Sequence, residues 1–178
     1  RKKKYDNLNY FCERVVSILD KTLLPNAQDK RTSFFYYKMK GDFLRYQAEF
    51  RQEKNQKYYV EQAQDAYRNA QLISNDSLDP AGTENLGLVM NLTVLMYEFL
   101  DQKVEAIKLI EKTFREVQSI VDSDLEKYAG SRPYLQMLRD NSSLWRQETE
   151  VDEEPEIMTH ENTDKKEDSN NEKKEEQK

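Results

Sequence analysis

Two asparagines and one arginine–tyrosine pair are the residues of this sequence whose types and positions best suit chemistry. Asn91 and Asn141 each interrupt an apolar stripe of helical period, and Arg45–Tyr46 lies in a third helical segment. A buried amide without a hydrogen-bond partner costs roughly 1–3 kcal/mol, so each asparagine has to find one. Two such amides together with an arginine predict a groove that holds a peptide backbone and an anion.

The arginine shares a helix face with two other charged residues. Lys38, Asp42 and Arg45 are spaced i, i+4 and i+7, which places all three on one side of a helix. Asp42 can pair with either cation and hold a guanidinium in one orientation. An arginine fork matches a phosphate with two hydrogen bonds, and Tyr46 can add another donor. A solvated row of ion pairs is the alternative interpretation, because such pairs are common on helices.

The first asparagine lies on a stripe with further candidate residues. Asn91, Val94 and Glu98 follow the spacing i, i+3, i+7, and Met90 and Leu95 flank them. A stripe of this kind usually belongs to a core. For the asparagine alone, a hydrogen bond to a neighbouring helix therefore remains an open alternative.

The second asparagine lies on a stripe in the last helical segment. The same period relates the apolar residues around it, which are Tyr134, Met137 and Trp145, and Leu138 widens the stripe. The core interpretation is open here too. The combination of both stripes with Arg45–Tyr46 favours the groove.

Long helices would position these residues, and the sequence is typical of them. It has only 4 Gly and 4 Pro, and its apolar spacing predicts an all-α antiparallel stack of about six helices. The helices are expected at 5–22, 31–51, 55–74, 84–100, 103–122 and 131–147. Thr32 or Ser33 is the expected cap of the second helix, Pro25–Asn26 ends the first, and 75–83 is the expected loop.

Charge divides the chain of 178 residues into two regions. Residues 148–178 hold 13 acidic and 5 basic side chains, a net charge of -8, which leaves +2 of the total of -6 for residues 1–147. The second region is predicted to be a disordered acidic tail, because it has too few apolar residues to offset chain entropy. The first region, predicted to be the helical domain, is nearly neutral, so no nucleic-acid partner is expected.

Other residue types argue against several classes of function. The single cysteine, Cys12, is expected to be a buried small hydrophobe, and no apolar run suffices to span a membrane. A cytoplasmic protein without a membrane partner is the expectation. The one histidine, His160, lies in the tail, and we find no catalytic triad, glycine loop or metal-ligand spacing. We therefore expect neither an enzyme nor a cofactor.

Three separated segments resemble the signature of 14-3-3 proteins. They are KMKGDFLRYQAEF at 38–50, LGLVMNLTV at 86–94 and LRDNSSLW at 138–145. LLPNAQ at 23–28 and the run through Tyr67 fit the same register. The likeness covers residues 5 to about 147, in the right order and spacing.

The resemblance implies an adaptor that binds phosphoserine or phosphothreonine segments of client proteins in an amphipathic groove, for signalling. Arg45 and Tyr46 would contact the phosphate and Lys38 would line the same wall. Asn91 and Asn141 would bond the peptide main chain. Residues implied for the apolar wall are Met90, Val94, Pro133, Tyr134, Met137 and Trp145. Asp42 and Glu98 would support the site.

The sequence also departs from the family pattern. Such subunits have nine helices and dimerise through the first ones, which are absent here, as is the third helix with its lysine and arginine. The parent protein is therefore expected to be a dimer and this chain alone a monomer. Met90 and Met137 replace the usual leucines, Pro133–Tyr134 replaces two aliphatic residues, and Gln102 replaces a serine phosphorylated in some relatives.

Two other functions remain as alternatives at this stage. One is a helical-repeat scaffold, like tetratricopeptide domains, that binds unmodified or acidic peptides. The other is a chaperone-like surface that binds exposed apolar segments through the methionine-rich wall. Sensitivity to a phosphate on the peptide distinguishes both from the adaptor.

Overall fold

Six α-helices form the described part of the chain, which comprises residues 2–50 and 53–149 of a computed structural model. They are α1 Lys2–Ile18, α2 Lys30–Phe50, α3 Glu53–Ser77, α4 Thr83–Phe99, α5 Lys103–Ser123 and α6 Arg132–Thr149. Each helix packs against the next one along the chain, and α4 also contacts α2 and α6. These ranges contain no strand, and the predicted all-α fold is confirmed.

The structure departs from the prediction in three respects that matter for the helices: two helix ends and one cap. α3 continues to Ser77, so that the loop before α4 is shorter than predicted. α6 continues to Thr149, so that residues 148 and 149 belong to a helix and not to the tail. The rest of the predicted tail, with His160, lies outside the described residues.

The third difference is the residue that caps α2. The carboxylate of Asp29 accepts hydrogen bonds from the backbone N–H and the hydroxyl of Thr32, at 2.7 and 2.8 Å, and its carbonyl accepts one from the N–H of Ser33. The predicted caps Thr32 and Ser33 are thus the donors and Asp29 is the cap, because its carboxylate reaches the free N–H groups of the first turn. These bonds lower the pKa of Asp29.

A π-helical turn, Leu19–Leu23, extends α1 before the chain reverses. The N–H of Leu24 donates to the carbonyl of Leu19 at 2.8 Å. Pro25 follows directly, and the side chain of Asn26 donates to the carbonyl of Thr22 at 2.6 Å. The predicted end of the first helix at Pro25–Asn26 agrees with this arrangement, because proline cannot continue a helix.

Small residues allow α2 and α3 to approach closely. Ala63, Ala66 and Ala70 are fully or almost fully buried along one side of α3. Tyr67 lies on the same side, and its ring packs flat against Gly41 of α2. A Cβ atom at Gly41 would overlap that ring, whose Cγ atom lies 3.0 Å from the position. The close contact fixes the height of α3 against α2.

α4 is the central helix of the described part. Its buried residues contribute to two apolar clusters, one with α2 and α3 and one with α5 and α6. Leu88, Leu92 and Leu95 belong to the first cluster, and Leu86 and Val89 belong to the second. The remaining positions of α4 can carry functional residues in a fixed orientation, since the helix is held on both sides.

Two further findings concern the described residues as a whole. Cys12 is buried, as predicted, and burial raises the pKa of its thiol. Within the described ranges, none of the helices combines the length and apolar character that crossing a bilayer requires.

The contact between Gly41 and Tyr67 predicts that replacement by alanine affects stability differently at Gly41 and at Gly87. Gly41→Ala should destabilise the fold by about 1–2 kcal/mol, because overpacking exceeds the gain in helix propensity. Gly87→Ala is the matched control, since its Cβ would meet its nearest neighbour at 3.4 Å. It should be neutral or stabilise by about 0.5 kcal/mol. Urea unfolding measures both, and equal effects would contradict the role of Gly41.

Candidate functional site

The carboxylate of Asp42 connects three helices. It accepts hydrogen bonds from the ammonium of Lys38 at 2.9 Å, from the hydroxyl of Tyr67 at 2.7 Å and from the amide of Asn91 at 2.7 Å. The Asp42 side chain is only 18% exposed. Because Tyr67 belongs to α3 and Asn91 to α4, this carboxylate brings the predicted charged row on α2 together with the first predicted amide.

Arg45 lies one turn further along α2 and has a different partner from the one expected. Its guanidinium pairs with Glu49, whereas Asp42 pairs with Lys38. The spacing allowed either cation for Asp42, but Arg45 instead lies near Tyr67, which helps to raise the pKa of its guanidinium. The side chain is 12% exposed.

The surroundings of Arg45 keep it charged. Burial by itself would lower the pKa of the guanidinium, but Tyr67, Glu49 and Tyr46 outweigh burial and raise the pKa. The Nε atom is buried and has no hydrogen-bond partner within the described residues. A planar guanidinium can bind an anion through two parallel N–H donors.

Tyr46 is the more exposed member of the predicted pair. The guanidinium carbon of Arg45 lies 4.8 Å from the centroid of its ring, within the range of a cation–π contact. Phe43 packs its ring edge-to-face against the same ring, with centroids 6.0 Å apart. Tyr46 therefore has a fixed ring on the surface beside the buried cation.

The two asparagines have different environments. Asn91 is half-buried and already donates one hydrogen bond, to Asp42, which leaves its carbonyl and its second N–H. Asn141 is also half-buried, but its side chain makes no hydrogen bond within the described residues. The bond to a neighbouring helix that stayed open for both asparagines is present only for Asn91.

Most of the predicted apolar wall lies at the surface of α4 and α6. Met90, Val94 and Tyr134 are half-buried against the core, whereas Pro133 is exposed and Met137 is 41% exposed. This set therefore offers apolar surface on both sides of the two amides.

Trp145 is the member of the predicted wall that the structure places elsewhere. Its indole is only 5% exposed, because it stacks on Tyr97 with ring centroids 4.2 Å apart. Tyr97 donates to Glu148 at 2.6 Å, and burial together with this carboxylate raises the pKa of Tyr97 to about 12. Trp145 thus supports α6 from the core.

Leu144 occupies the exposed position that we had assigned to Trp145. It follows Met137 by seven residues, two helical turns, and therefore lies on the same face of α6. It is 52% exposed. Sequence periodicity alone did not separate the two residues, because neighbours in a helix can both belong to an apolar stripe.

Glu98, predicted to support the site, is exposed near the end of α4. Its charge helps to raise the pKa of Tyr97. The described residues include no hydrogen bond or ion pair of its side chain. Its supporting role stays a prediction.

Gly87 is where α2, α4 and α6 meet. A Cβ atom at this position would lie 3.6 Å from Cε of Lys38 and 3.4 Å from Cε1 of Tyr134. Lys38 of α2 and Tyr134 of α6 therefore approach α4 at the same residue. We missed Gly87, Tyr67 and Glu49 in the sequence, although the i+4 spacing of Glu49 from Arg45 was a usable signal.

The polar row on α2 consists of Lys38, Asp42, Arg45 and Glu49, and its charges cancel. Lys38 and Arg45 each pair with one carboxylate, Asp42 and Glu49. What this row could offer an anion is therefore spare N–H donors and not an excess of positive charge. No group of three or more His, Cys, Asp or Glu side chains in the described part is placed to hold a metal ion.

Comparison with known proteins gives one family. The family model described as 14-3-3 protein matches residues 1–146. The chain is similar to 14-3-3 protein I of Plasmodium falciparum, with 35% identity over 154 residues, 86% of this chain and 59% of that protein. The checkpoint signal transducer rad25 of Schizosaccharomyces pombe is 39% identical over 154 residues, 86% of this chain and 57% of that protein.

A human relative shows the same coverage. The 14-3-3 protein beta/alpha of Homo sapiens is 37% identical over 154 residues, 86% of this chain and 63% of that protein. The chain thus spans about three fifths of the length of these curated relatives.

The hydroxyl of Tyr67 should matter for stability. Tyr67→Phe removes a hydrogen-bond donor from Asp42 and leaves the ring that packs on Gly41. We expect a loss of about 1–2 kcal/mol of unfolding free energy. Tyr58→Phe, at an exposed tyrosine of the same helix, is the control and should change nothing. Equal unfolding midpoints for the two variants would show that the Tyr67 hydroxyl is not part of a stabilising network.

Proposed function

The chain belongs to the 14-3-3 family, and from this premise we propose that it binds segments of client proteins that carry phosphoserine or phosphothreonine. The proposal rests on the hydrogen bond between Asp42 and Asn91, because this bond joins the polar row of α2 to a half-buried amide beside an apolar wall. We further propose that the binding serves signalling, because the fission-yeast relative is named a checkpoint signal transducer.

The phosphate would be bound at the α2 face. Arg45 has five N–H donors, of which Glu49 uses part, and Lys38 has two donors beyond the one that Asp42 accepts. The Tyr46 hydroxyl would add a donor from the surface side. Since the row is neutral, the selectivity for phosphate would come from the positions of these donors.

The peptide backbone would be held by the two amides. Asn141 has its full hydrogen-bonding capacity left, and Asn91 has its carbonyl and one N–H. An amide that offers both a donor and an acceptor matches the N–H and C=O of an extended peptide. The bond to Asp42 would hold Asn91 in one orientation before a peptide arrives, which reduces the entropy cost of binding.

The apolar side chains of the client would lie against α4 and α6. Met90, Val94 and Met137 offer the surface, and Leu144 extends it by two turns from Met137. Methionine side chains fill irregular space with little strain. This wall would therefore accept varied residues. Binding of this kind breaks no covalent bond, and we propose an adaptor and not an enzyme.

Arg45 should dominate the affinity for a phosphopeptide. A charge-assisted hydrogen bond contributes roughly 1.5–3 kcal/mol, so Arg45→Ala should weaken binding about tenfold or more. Arg45→Lys should recover only part, because a point charge lacks the planar fork. Arg68→Ala, at an exposed arginine of α3, should leave the dissociation constant unchanged. Calorimetry with a phosphoserine peptide measures all three.

The same titration with the unphosphorylated peptide tests the function as a whole. Tight binding without the phosphate would favour the helical-repeat scaffold, and binding that follows apolar content alone would favour the chaperone-like surface. An unchanged affinity for Arg45→Ala would reject α2 as the phosphate site.

The two asparagines should respond differently to truncation. Asn141→Ala should weaken peptide binding about fivefold, the equivalent of one hydrogen bond of about 1 kcal/mol, and leave the unfolding free energy unchanged. Asn91→Ala should lower both, because Asp42 loses a donor. Calorimetry and urea unfolding on each variant separate the effects. A loss of stability for Asn141→Ala with unaltered affinity would place that amide in the core.

A further inference from the structure

A tyrosine occupies the floor of the groove above Gly87. Cε1 of Tyr134 lies 3.4 Å and its Cζ 3.9 Å from the position of a Cβ at Gly87. The ring end that carries the hydroxyl therefore faces α4 and not solvent. Cε of Lys38 lies 3.6 Å from the same position. Tyr134 and Lys38 thus both border the space beside Gly87.

The Tyr134 ring has little freedom to move away. It is half-buried against the core formed by α4, α5 and α6. On the opposite side, the methylenes of Lys38 end in an ammonium that is tied to Asp42 at 2.9 Å. Asp42 in turn accepts bonds from Tyr67 and Asn91. A bulky group entering here would have to displace a ring that packs against the core and lies beside this network.

The position of this ring can be related to the phosphate site. Lys38 and Arg45 are seven residues apart on α2, about 10 Å along the helix axis. An extended peptide advances about 3.3 Å per residue. A client bound with its phosphate at Arg45 would thus present a side chain to Tyr134 within about three positions of the phosphorylated residue.

We propose that Tyr134 determines the specificity of the groove by excluding bulky side chains at one position close to the phosphorylated residue. The inference rests on the proposed function and names a preference within it. A client residue with a short side chain, such as alanine or serine, fits above the ring. A leucine at that position meets an aromatic surface that cannot yield, in contrast to the adaptable Met137 on the same helix.

The test uses the full chain and a set of alanine-rich peptides with one central phosphoserine. Each peptide carries leucine at one of the three positions on either side, and calorimetry gives the ratio of its dissociation constant to that of the all-alanine parent. For the wild type, we expect leucine to weaken binding about tenfold at one position, which is the usual effect of overpacking. In Tyr134→Ala that ratio should fall to about one or below.

Three further variants keep the outcome decisive. Tyr134→Val removes the ring but retains more packing, and it should lower the leucine penalty if Tyr134→Ala proves unstable. Tyr134→Phe keeps the ring and should keep the penalty, which separates size from the hydroxyl. Tyr58→Ala changes an exposed tyrosine on α3 and should behave as wild type.

Two results would overturn the inference, and only the second would also overturn the proposed function. In the first, binding depends on the phosphate, but at each peptide position the leucine penalty is the same in wild type, Tyr134→Ala and Tyr134→Val. This result would reject only the role of Tyr134. Absence of any phosphate-dependent binding by the wild-type chain would reject the proposed function and this inference together.

Discussion

The carboxylate of Asp42 is the group on which the geometry of the candidate site depends. It is largely shielded from water and accepts hydrogen bonds from side chains of its own helix, α3 and α4. A buried carboxylate without partners would be strongly destabilising, so these three donors are needed together. Because Tyr67 also packs on Gly41, the height of α3 and the orientation of Asn91 on α4 are fixed by neighbouring residues of α2.

This arrangement gives the polar row strength without net charge. Each cation has a carboxylate partner, and Tyr67, which donates to Asp42, also helps to raise the pKa of Arg45. Burial and the charge of Asp42 raise the pKa of Tyr67 far above its usual range, so the phenol stays a neutral donor. An anion would then bind preorganised N–H groups, and such sites depend on geometry more than on long-range attraction.

The fold could be predicted from the sequence further than the site could. Apolar period and the low content of Gly and Pro identified all six helices, because both are properties of the local sequence. Which helix covers a given apolar stripe depends on tertiary packing. The spacing of residues in the sequence carries no information about that packing. Trp145 and Leu144 are adjacent on an amphipathic helix, and only the stack on Tyr97 decides that the indole is buried. Asn91 and Asn141 looked equivalent for the same reason, although only one has a partner on another helix.

The two ends of the proposed groove differ in how easily they can rearrange. At the α2 end, Arg45, Asp42 and Tyr67 form one network, and movement of any member would leave a buried polar atom of another unpaired. Along α6, Met137 and Leu144 lie at the surface with no polar contacts to lose, and they can change rotamer at low cost. Tyr134 belongs to α6 but contacts the glycine at which Lys38 arrives. Its ring therefore lies where the polar end and the apolar wall meet, and it packs against the core, which is why we expect this position of the wall to select by size while its neighbours do not.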